Sequence, residues 1–412
     1  MSDPGAGPNP EAAGKDWPVA VIAGAFQTGV LSVRNLTRRG VRAVCFDSRP
    51  DHPGFRSVWG PARLCPNPDD NREGWLRFML DLAAELPGRP ILIPSSDQFV
   101  SAIAAHAATL AEHYVFSPAI EVQGLLANKT TQYELAARHG MPMPHTRFVS
   151  SIEELAAFAR DARFPCLIKP THFREWNRFR EGHPLRHEKV AVAADERELR
   201  RLYDLAAEVT PLVIAQEIIE GPDSAKRVFL SCYDGRSRRI ARAMFKELRC
   251  DPLGFGPASV SEPVLDDETD QVCNRFLQAL GYAGICEIEM KWDSRDGQVK
   301  LIEANPRLSG GGDAAPYAGV DLCWIHYLDL TGACVQPVEP SRTAFRHIVL
   351  RADGRAIPAY WRAGLLTWRD LVASYRPPLA FFDVDARDVR YSAETFFVAA
   401  RALLSGWRSG RS

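Results

Sequence analysis

Two acidic segments joined by a turn constrain this chain more than any other feature in it. Ile285–Trp292 reads ICEIEMKW and Val299–Asn305 reads VKLIEAN, with Asp293-Ser294-Arg295-Asp296-Gly297-Gln298 between them. Alternating segments flanking an Asp-Gly pair predict a β-hairpin. Centred near Asp296, the hairpin sets Glu289 opposite Glu303 and Glu287 opposite Asn305. Side chains two apart share a face, and directly opposed residues lie about 5 Å apart at Cβ. One face then carries three carboxylates and an amide, which repel one another unless a cation sits among them. Oxygen donors without His or Cys favour Mg²⁺ or Mn²⁺, brought in on a phosphate-bearing substrate.

The remainder of the chain has to build a scaffold around that hairpin. Its 412 residues are enough for two or three domains with a large core. A net charge of −1 speaks against a dedicated nucleic-acid binder, and no apolar run reaches the length of a membrane span. The opening MSDPGAGPNPEAAGKD lacks the layout of a secretory signal and reads as a disordered tail over residues 1–16. The nine cysteines are scattered without a C-x-x-C pair. Cys45, Cys166 and Cys286 lie in apolar runs, where a thiol acts as a small hydrophobe, so a reducing cytoplasm is the expected setting.

Residues 18–47 read strand, glycine-bracketed turn, helix (Leu31–Arg39) and strand. A helix over Glu73–Leu86, a short strand at Pro90–Pro94 and a helix over Gln98–Tyr114 follow. Such alternation predicts a parallel-sheet α/β domain, assigned here to residues 17–118. The turn Gly24-Ala-Phe-Gln-Thr-Gly29 matches neither G-x-G-x-x-G nor a P-loop, so it reads as a tight strand-to-helix turn. A ligand could still lie at the strand carboxyl ends, where such sheets usually bind; Asp47 and Asp97 end their strands there, yet either could simply cap the next helix.

A second α/β unit begins after the helix Leu125–His139. Ser151-Ile-Glu-Glu154 is a capping box. It precedes a strand Phe164–Lys169, a long loop over 171–188, a helix from Asp195 and the strand LVIAQEII. Residues 227–248 read as a hairpin around Asp234-Gly235, and Asp267–Leu280 as a helix. Beyond about residue 336 the pattern weakens until a helix near Thr395–Leu404.

Several side chains stand out as ligand candidates. Lys169 ends a buried strand, where it either snorkels to solvent or meets an anion. Lys129 alone is an ordinary helical lysine. Gln216-Glu217-Ile218-Ile219-Glu220-Gly221-Pro222-Asp223 takes an apolar strand directly into polar groups and a turn. Arg307, followed by Gly310-Gly311-Gly312, offers a guanidinium and an approachable backbone just past the acidic strand.

Together these segments resemble the ATP-grasp superfamily over roughly residues 17–335. The carriers are Lys129, Lys169, QEIIEG and above all EIEMKW…LIEANPRLSGG. The pattern is most similar to the D-aspartate ligase-type carboxylate–amine ligases, which Phe245-Lys246-Glu247-Leu248 and Arg362-Ala-Gly-Leu-Leu-Thr-Trp368 also resemble. The resemblance implies an ATP-grasp domain over 119–335, with a lid subdomain about 141–222, and an accessory segment 336–412. It implies that Lys129 and Lys169 hold nucleotide phosphates and that Gln216 and Glu217 read the adenine edge beside Ile219. Glu220 or Asp223 would lie near the ribose. Glu289, Glu303 and Asn305 would hold Mg²⁺ (or Mn²⁺), with Glu287 in support. Arg307 would stabilise the transferring phosphoryl group.

One stretch departs from the family pattern. Where relatives carry a glycine-rich lid, this chain has THFREWNRFREGHPLRHEK, with Arg174, Arg178, Arg180, Arg186 and Lys189. It reads as a lid closing through arginines, a clamp for an acidic substrate, or a disordered basic loop. Arg178, Arg180, Lys246 and Gly311 are the substrate-side candidates. The implied reaction is ADP-forming ligation of a small carboxylate to an amine, both amino-acid-like, through an acyl phosphate. Phosphorylation without ligation, a carboxylase-type reaction with bicarbonate (against which stands the lack of a Met-Lys-Met biotin-carrier motif), and nucleotide binding without turnover are the competing readings. A homodimer is the default assembly.

Overall fold

The computed structural model describes residues 17–59, 62–171 and 175–408. The N-terminal tail and Arg174 lie outside the described residues. The chain forms two compact units. One runs to Ala127 and resumes over Pro222–Glu289 and from Ala304 onward; the other comprises Asn128–Gly221 and Met290–Glu303.

The first unit opens with four strands: β1 (Ala20–Ala23), β2 (Ala43–Asp47), β3 (Ala62–Leu64) and β4 (Ile91–Pro94). They form a parallel sheet in the order β3-β2-β1-β4, as the strand–helix alternation predicts. Because side chains alternate along a strand, Ala20 and Ile22 enter one hydrophobic cluster while Val21 and Ala23 enter another. Burial on both faces is why β1 and β4 read as unbroken apolar runs, whereas the edge strand β3 is partly exposed. The turn after β1 is held by close packing. Gly24 has φ +121°, and a Cβ on Gly29 would come 1.9 Å from the Gly24 carbonyl oxygen. The expected helix Gln98–Tyr114 is two helices, Asp97–Ala105 and Ala107–Leu110, interrupted at His106. No Gly or Pro marks that break in the sequence.

In the second unit, β5 (Thr146–Val149), β6 (Cys166–Pro170), β7 (Ala191–Ala193) and β8 (Val213–Glu217) pair antiparallel in the order β5-β8-β6-β7. The helices Ile152–Asp161 and Glu196–Ala207 bury Leu155, Phe158, Leu199 and Leu202 in one cluster with β6 and β8. Ser151 caps the first of these helices by accepting from the Glu154 amide at 3.2 Å. Glu154 in turn accepts from the Ser150 amide at 2.7 Å, one residue earlier than a capping box requires. The basic loop is folded where it is described. Trp176, Phe179, His183 and Leu185 are buried, with the Phe179 and His183 rings stacked at 3.9 Å. Arg178 and Arg180 are exposed between these buried side chains, and Arg186 is partly exposed.

The remaining strands are β9 (Lys226–Tyr233), β10 (Arg239–Cys250), β11 (Ala258–Pro263), β12 (Gly284–Trp292), β13 (Val299–Asn305), β14 (Arg346–Ile348) and β15 (Leu379–Phe381). They make a seven-stranded sheet ordered β13-β12-β9-β10-β11-β14-β15. The last two strands belong to the weakly patterned C-terminal stretch. That stretch also holds the helices Leu350–Arg362 and Val389–Arg408, the latter longer than the expected Thr395–Leu404. Pro358 lies inside the first of them, which hides its helical pattern from a reading of the sequence. Among the described residues no helix is long and apolar enough to cross a membrane. All nine cysteines are free thiols, eight of them buried.

Candidate active site

The acidic strands are neighbours in one sheet, and the turn between them is closely tied. The Asp293 amide donates to the Gln298 carbonyl at 2.9 Å, and Gly297 takes φ +67°. Burial pushes the Asp293 carboxyl up, but Arg295 and Lys300, donating at 2.7 and 2.8 Å, outweigh it and hold the group well below the usual carboxylate range. Arg295 also donates to the Ile218 carbonyl at 2.9 Å, and the Ser294 amide donates to the Glu220 carbonyl at 3.1 Å. The QEIIEG segment is thereby fastened to the hairpin turn.

Within the second unit the two lysines are not solvent-directed. Lys129 is the first residue of the helix Lys129–Arg138, whose N-cap Asn128 accepts from the Thr130 and Thr131 amides. Its ammonium lies 2.6 Å from Glu303 Oε2. The expected single helix Leu125–His139 is thus two, broken at the cap. Lys169 Nζ donates to the Tyr133 hydroxyl at 2.7 Å and to Gln216 Oε1 at 3.0 Å, and sits 4.9 Å from the Tyr133 ring centroid. Gln216 Nε2 donates to Thr146 Oγ1 at 2.8 Å, so both ends of its amide have protein partners. Glu217 points to the other face of β8 and accepts from the Arg163 amide at 2.8 Å. Ile219 is buried and Glu220 exposed. Arg178 and Arg180 are exposed.

Within the first unit the end of β13 leads into a continuous polar chain. Asn305 Nδ2 donates to Glu287 Oε1 at 3.2 Å, and Arg307 Nη2 donates to Asn305 Oδ1 at 3.4 Å. Arg307 then grips Asp97 with Nε and Nη2, at 2.7 and 2.8 Å. Glu287 is buried and supports Asn305, while Glu289 is partly exposed on the same strand. Asp223 is engaged by Tyr360, by the Gly254 amide at 3.3 Å and by Lys226 at 3.5 Å. Lys246 pairs with Glu262 at 2.6 Å across β10 and β11. Gly311 lies in the tight turn Gly310–Asp313.

Tyr133 is absent from the sequence-derived site residues, and Asp97 enters them only as a strand-end acid that could equally cap a helix. Tyr133 carried a signal, since it falls four residues after Lys129 and so on the same helix face. Among the described residues, no group of three or more His, Cys, Asp or Glu side chains stands at metal-binding geometry. Glu303 offers a carboxylate of the kind a hard cation takes, and in this structure the Lys129 ammonium stands against it.

No protein-family model matches the chain. It is 28% identical over 255 residues to a D-aspartate ligase of Enterococcus faecium, covering 57% of each chain. It is also 26% identical over 180 residues to the N-terminal section of the carbamoyl phosphate synthase large chain of Methanopyrus kandleri, covering 41% of this chain and 29% of that one. The chain thus spans about half the length of the first of these relatives and less of the second. Two solved structures share its architecture. The N5-carboxyaminoimidazole synthetase of Staphylococcus aureus superposes with a TM-score of 0.57 at 14% identity, over 78% of each chain. The biotin carboxylase domain of the Hydrogenobacter thermophilus 2-oxoglutarate carboxylase, a dimer holding MgADP, ADP and bicarbonate, gives 0.62 at 15% identity over 81% of this chain and 74% of that one. The chain has the ATP-grasp fold, and its sequence resembles the D-aspartate ligase type.

Proposed function

We propose that the chain is an ATP-dependent, ADP-forming carboxylate–amine ligase. The observation that carries this reading is the alternation of Glu303, Asn305 and Arg307. Each is already engaged by a charged or polar partner of the kind a phosphoryl-transfer site uses. The likeness to D-aspartate ligase supports it, and the MgADP held by the biotin carboxylase neighbour supports ATP and Mg²⁺ as its nucleotide and metal. We assign residues 17–118 to the N-terminal domain, 119–335 to the ATP-grasp domain with its lid about 141–222, and 336–412 to an accessory segment. Buried free thiols suit a reducing cytoplasm.

Lys129 and Lys169 are assigned to the phosphates. The Lys129–Glu303 pair is partly exposed, with side-chain accessibilities of 27% and 35%, so it contributes at most about 1 kcal/mol. Such a pair parts readily: a phosphate can take the lysine while Glu303 turns to a metal. Lys169 needs no such release, because Tyr133 and Gln216 are neutral partners and leave its full charge for an anion. Glu289, Glu303 and Asn305 would hold Mg²⁺, which supplies charge neutralisation on the phosphate oxygens. Gln216, Glu217 and Ile219 are assigned to the adenine side, with Glu220 or Asp223 toward the ribose. Arg178, Arg180, Lys246 and Gly311 are kept on the substrate side.

A carboxylate is a poor electrophile until its oxygen is phosphorylated. Arg307 and Lys169 would offset the charge that moves with the phosphoryl group. An amine then attacks the acyl carbon; the C–N bond forms, the bond to the phosphate oxygen breaks, and the amine loses a proton. The test is a screen of amino-acid pairs for ADP and phosphate release, with the product identified by mass spectrometry. Release that needs both an acid and an amine is expected; phosphorylated acid with no dependence on amine would make the protein a kinase instead. Glu303→Gln should abolish ATP turnover with the fold intact, and a variant with full ligase activity would sink the assignment.

A further inference from the structure

We propose that Asp97 is the positioning residue for Arg307, so that the N-terminal parallel sheet sets the geometry of the phosphoryl-transfer arginine. The proposal rests on the ligase reading above for the role of Arg307. Its structural half stands on contacts alone.

Asp97 follows Ser96, which caps the helix Asp97–Ala105 by accepting from the Phe99 amide. It therefore stands in the first turn of a helix that begins directly beyond the carboxyl end of β4. Its carboxylate takes the Nε–Nη2 edge of Arg307 in two bonds, 2.7 and 2.8 Å long. A guanidinium is planar with its donors in a fixed fork, so pinning one edge fixes the plane and the direction of the rest. Arg307 Nη2 reaches Asn305 Oδ1 and Nη1 reaches the Leu308 carbonyl, both at 3.4 Å. Both are longer than the two bonds to Asp97. The side chains are 17% exposed for Arg307 and 43% for Asp97. The acid thus stands on the wetter side and the arginine on the drier one, where its orientation matters most.

A helix of this kind needs no particular residue at its first position beyond a preference for acids. The bidentate geometry is an additional constraint, met across 210 residues of sequence. It also passes along the polar chain: fixing Arg307 orients the amide of Asn305, whose other end donates to Glu287. Loss of Asp97 should disturb the transition state for phosphoryl transfer and leave nucleotide affinity alone.

The experiment combines a double-mutant cycle with a spectroscopic arm. Asp97→Ala and Arg307→Lys are made singly and together, and kcat and KM for ATP are measured in amine-dependent ADP formation. Asp97→Ala should lower kcat about ten- to a hundredfold and move KM for ATP less than threefold. In the Arg307→Lys background the same change should cost less than threefold. Equal losses in both backgrounds would overturn the proposal, because Asp97 would then act independently of Arg307. Asp97→Glu, which keeps the charge, should recover part of the rate. In parallel, the Arg307 Nε–H resonance, assigned by its loss in Arg307→Lys, should exchange slowly in the wild type and fast in Asp97→Ala. Unchanged exchange would refute the clamp whatever reaction the protein performs. A slow-exchanging signal in a protein with no amine-dependent turnover would instead refute the ligase reading and leave the clamp standing.

Discussion

Replacing Asp313 by asparagine should raise the stability of the protein relative to wild type progressively as the pH rises. Asp313 closes the turn Gly310–Asp313, is 3% exposed, and neither of its carboxyl oxygens has a hydrogen-bond partner. Burial pushes its carboxyl well above the usual range; Arg34 opposes this, while Glu287 and Asp383 reinforce it. In the unfolded chain the group ionises near pH 4. The folded chain keeps the proton to higher pH and so binds more protons than the unfolded chain. Stability from this group is full below the unfolded value and is lost as pH rises towards the folded one, by about 1.4 kcal/mol per unit. Asparagine matches the shape and has no proton to lose, and its own burial cost of about 1–3 kcal/mol does not vary with pH. Urea unfolding of wild type and Asp313→Asn at pH 5, 6 and 7 gives the difference directly. The gap should shift towards the variant as the pH rises, with a slope that cannot exceed about 1.4 kcal/mol per unit for one proton. A gap that stays constant over this range would mean that Asp313 is already ionised in the fold, with Arg34 as its counter-charge.

Two further outcomes test the C-terminal part of the first unit. Arg249 and Asp353 form a bidentate pair at 2.9 and 2.9 Å, with side chains 3% and 0% exposed, and Asp353 also accepts from Ser259 and Tyr375. Asp353→Ala strands a buried guanidinium and should cost about 3–5 kcal/mol in urea unfolding, whereas a loss below about 1 kcal/mol would show that the pair is dispensable. His326 and His347 are buried, and burial pushes both imidazoles down to about 4. Their contribution is full above the unfolded value of about 6.5 and is lost as pH falls towards 4, by about 3 kcal/mol each. The double replacement by glutamine should flatten that acid limb in a stability–pH series, and an unchanged slope would count against it.

The elements most legible in the sequence were those specified by short-range chemistry. The hairpin followed from alternation around Asp-Gly, and its turn closes at Gly297 with the positive φ that such a turn demands. The parallel sheet followed from apolar runs separated by helices. The C-terminal stretch resisted because Pro358 sits inside a helix and β14 and β15 have only three residues each. Lys169 stayed ambiguous for a different reason: a lysine at a strand end is adequately explained by solvent, and only Tyr133 and Gln216 remove that explanation.

Asp97 presents the harder form of the same problem. An acid in the first turn of a helix already satisfies a local rule, so nothing near it in the sequence asks for a partner. Its engagement with Arg307 becomes visible only when the fold brings together residues 210 apart. A residue that meets a local preference and a distant requirement at once looks ordinary by the first and hides the second. Charged helix-starting residues at the carboxyl ends of parallel strands are therefore the positions where a local explanation is least sufficient, since ligands of such sheets also gather there. For this chain the separation of the two roles is measurable. Asp97→Asn should keep most of the capping value of the first turn while losing the charge that holds Arg307. Any fall in kcat that exceeds its effect on stability belongs to the distant role.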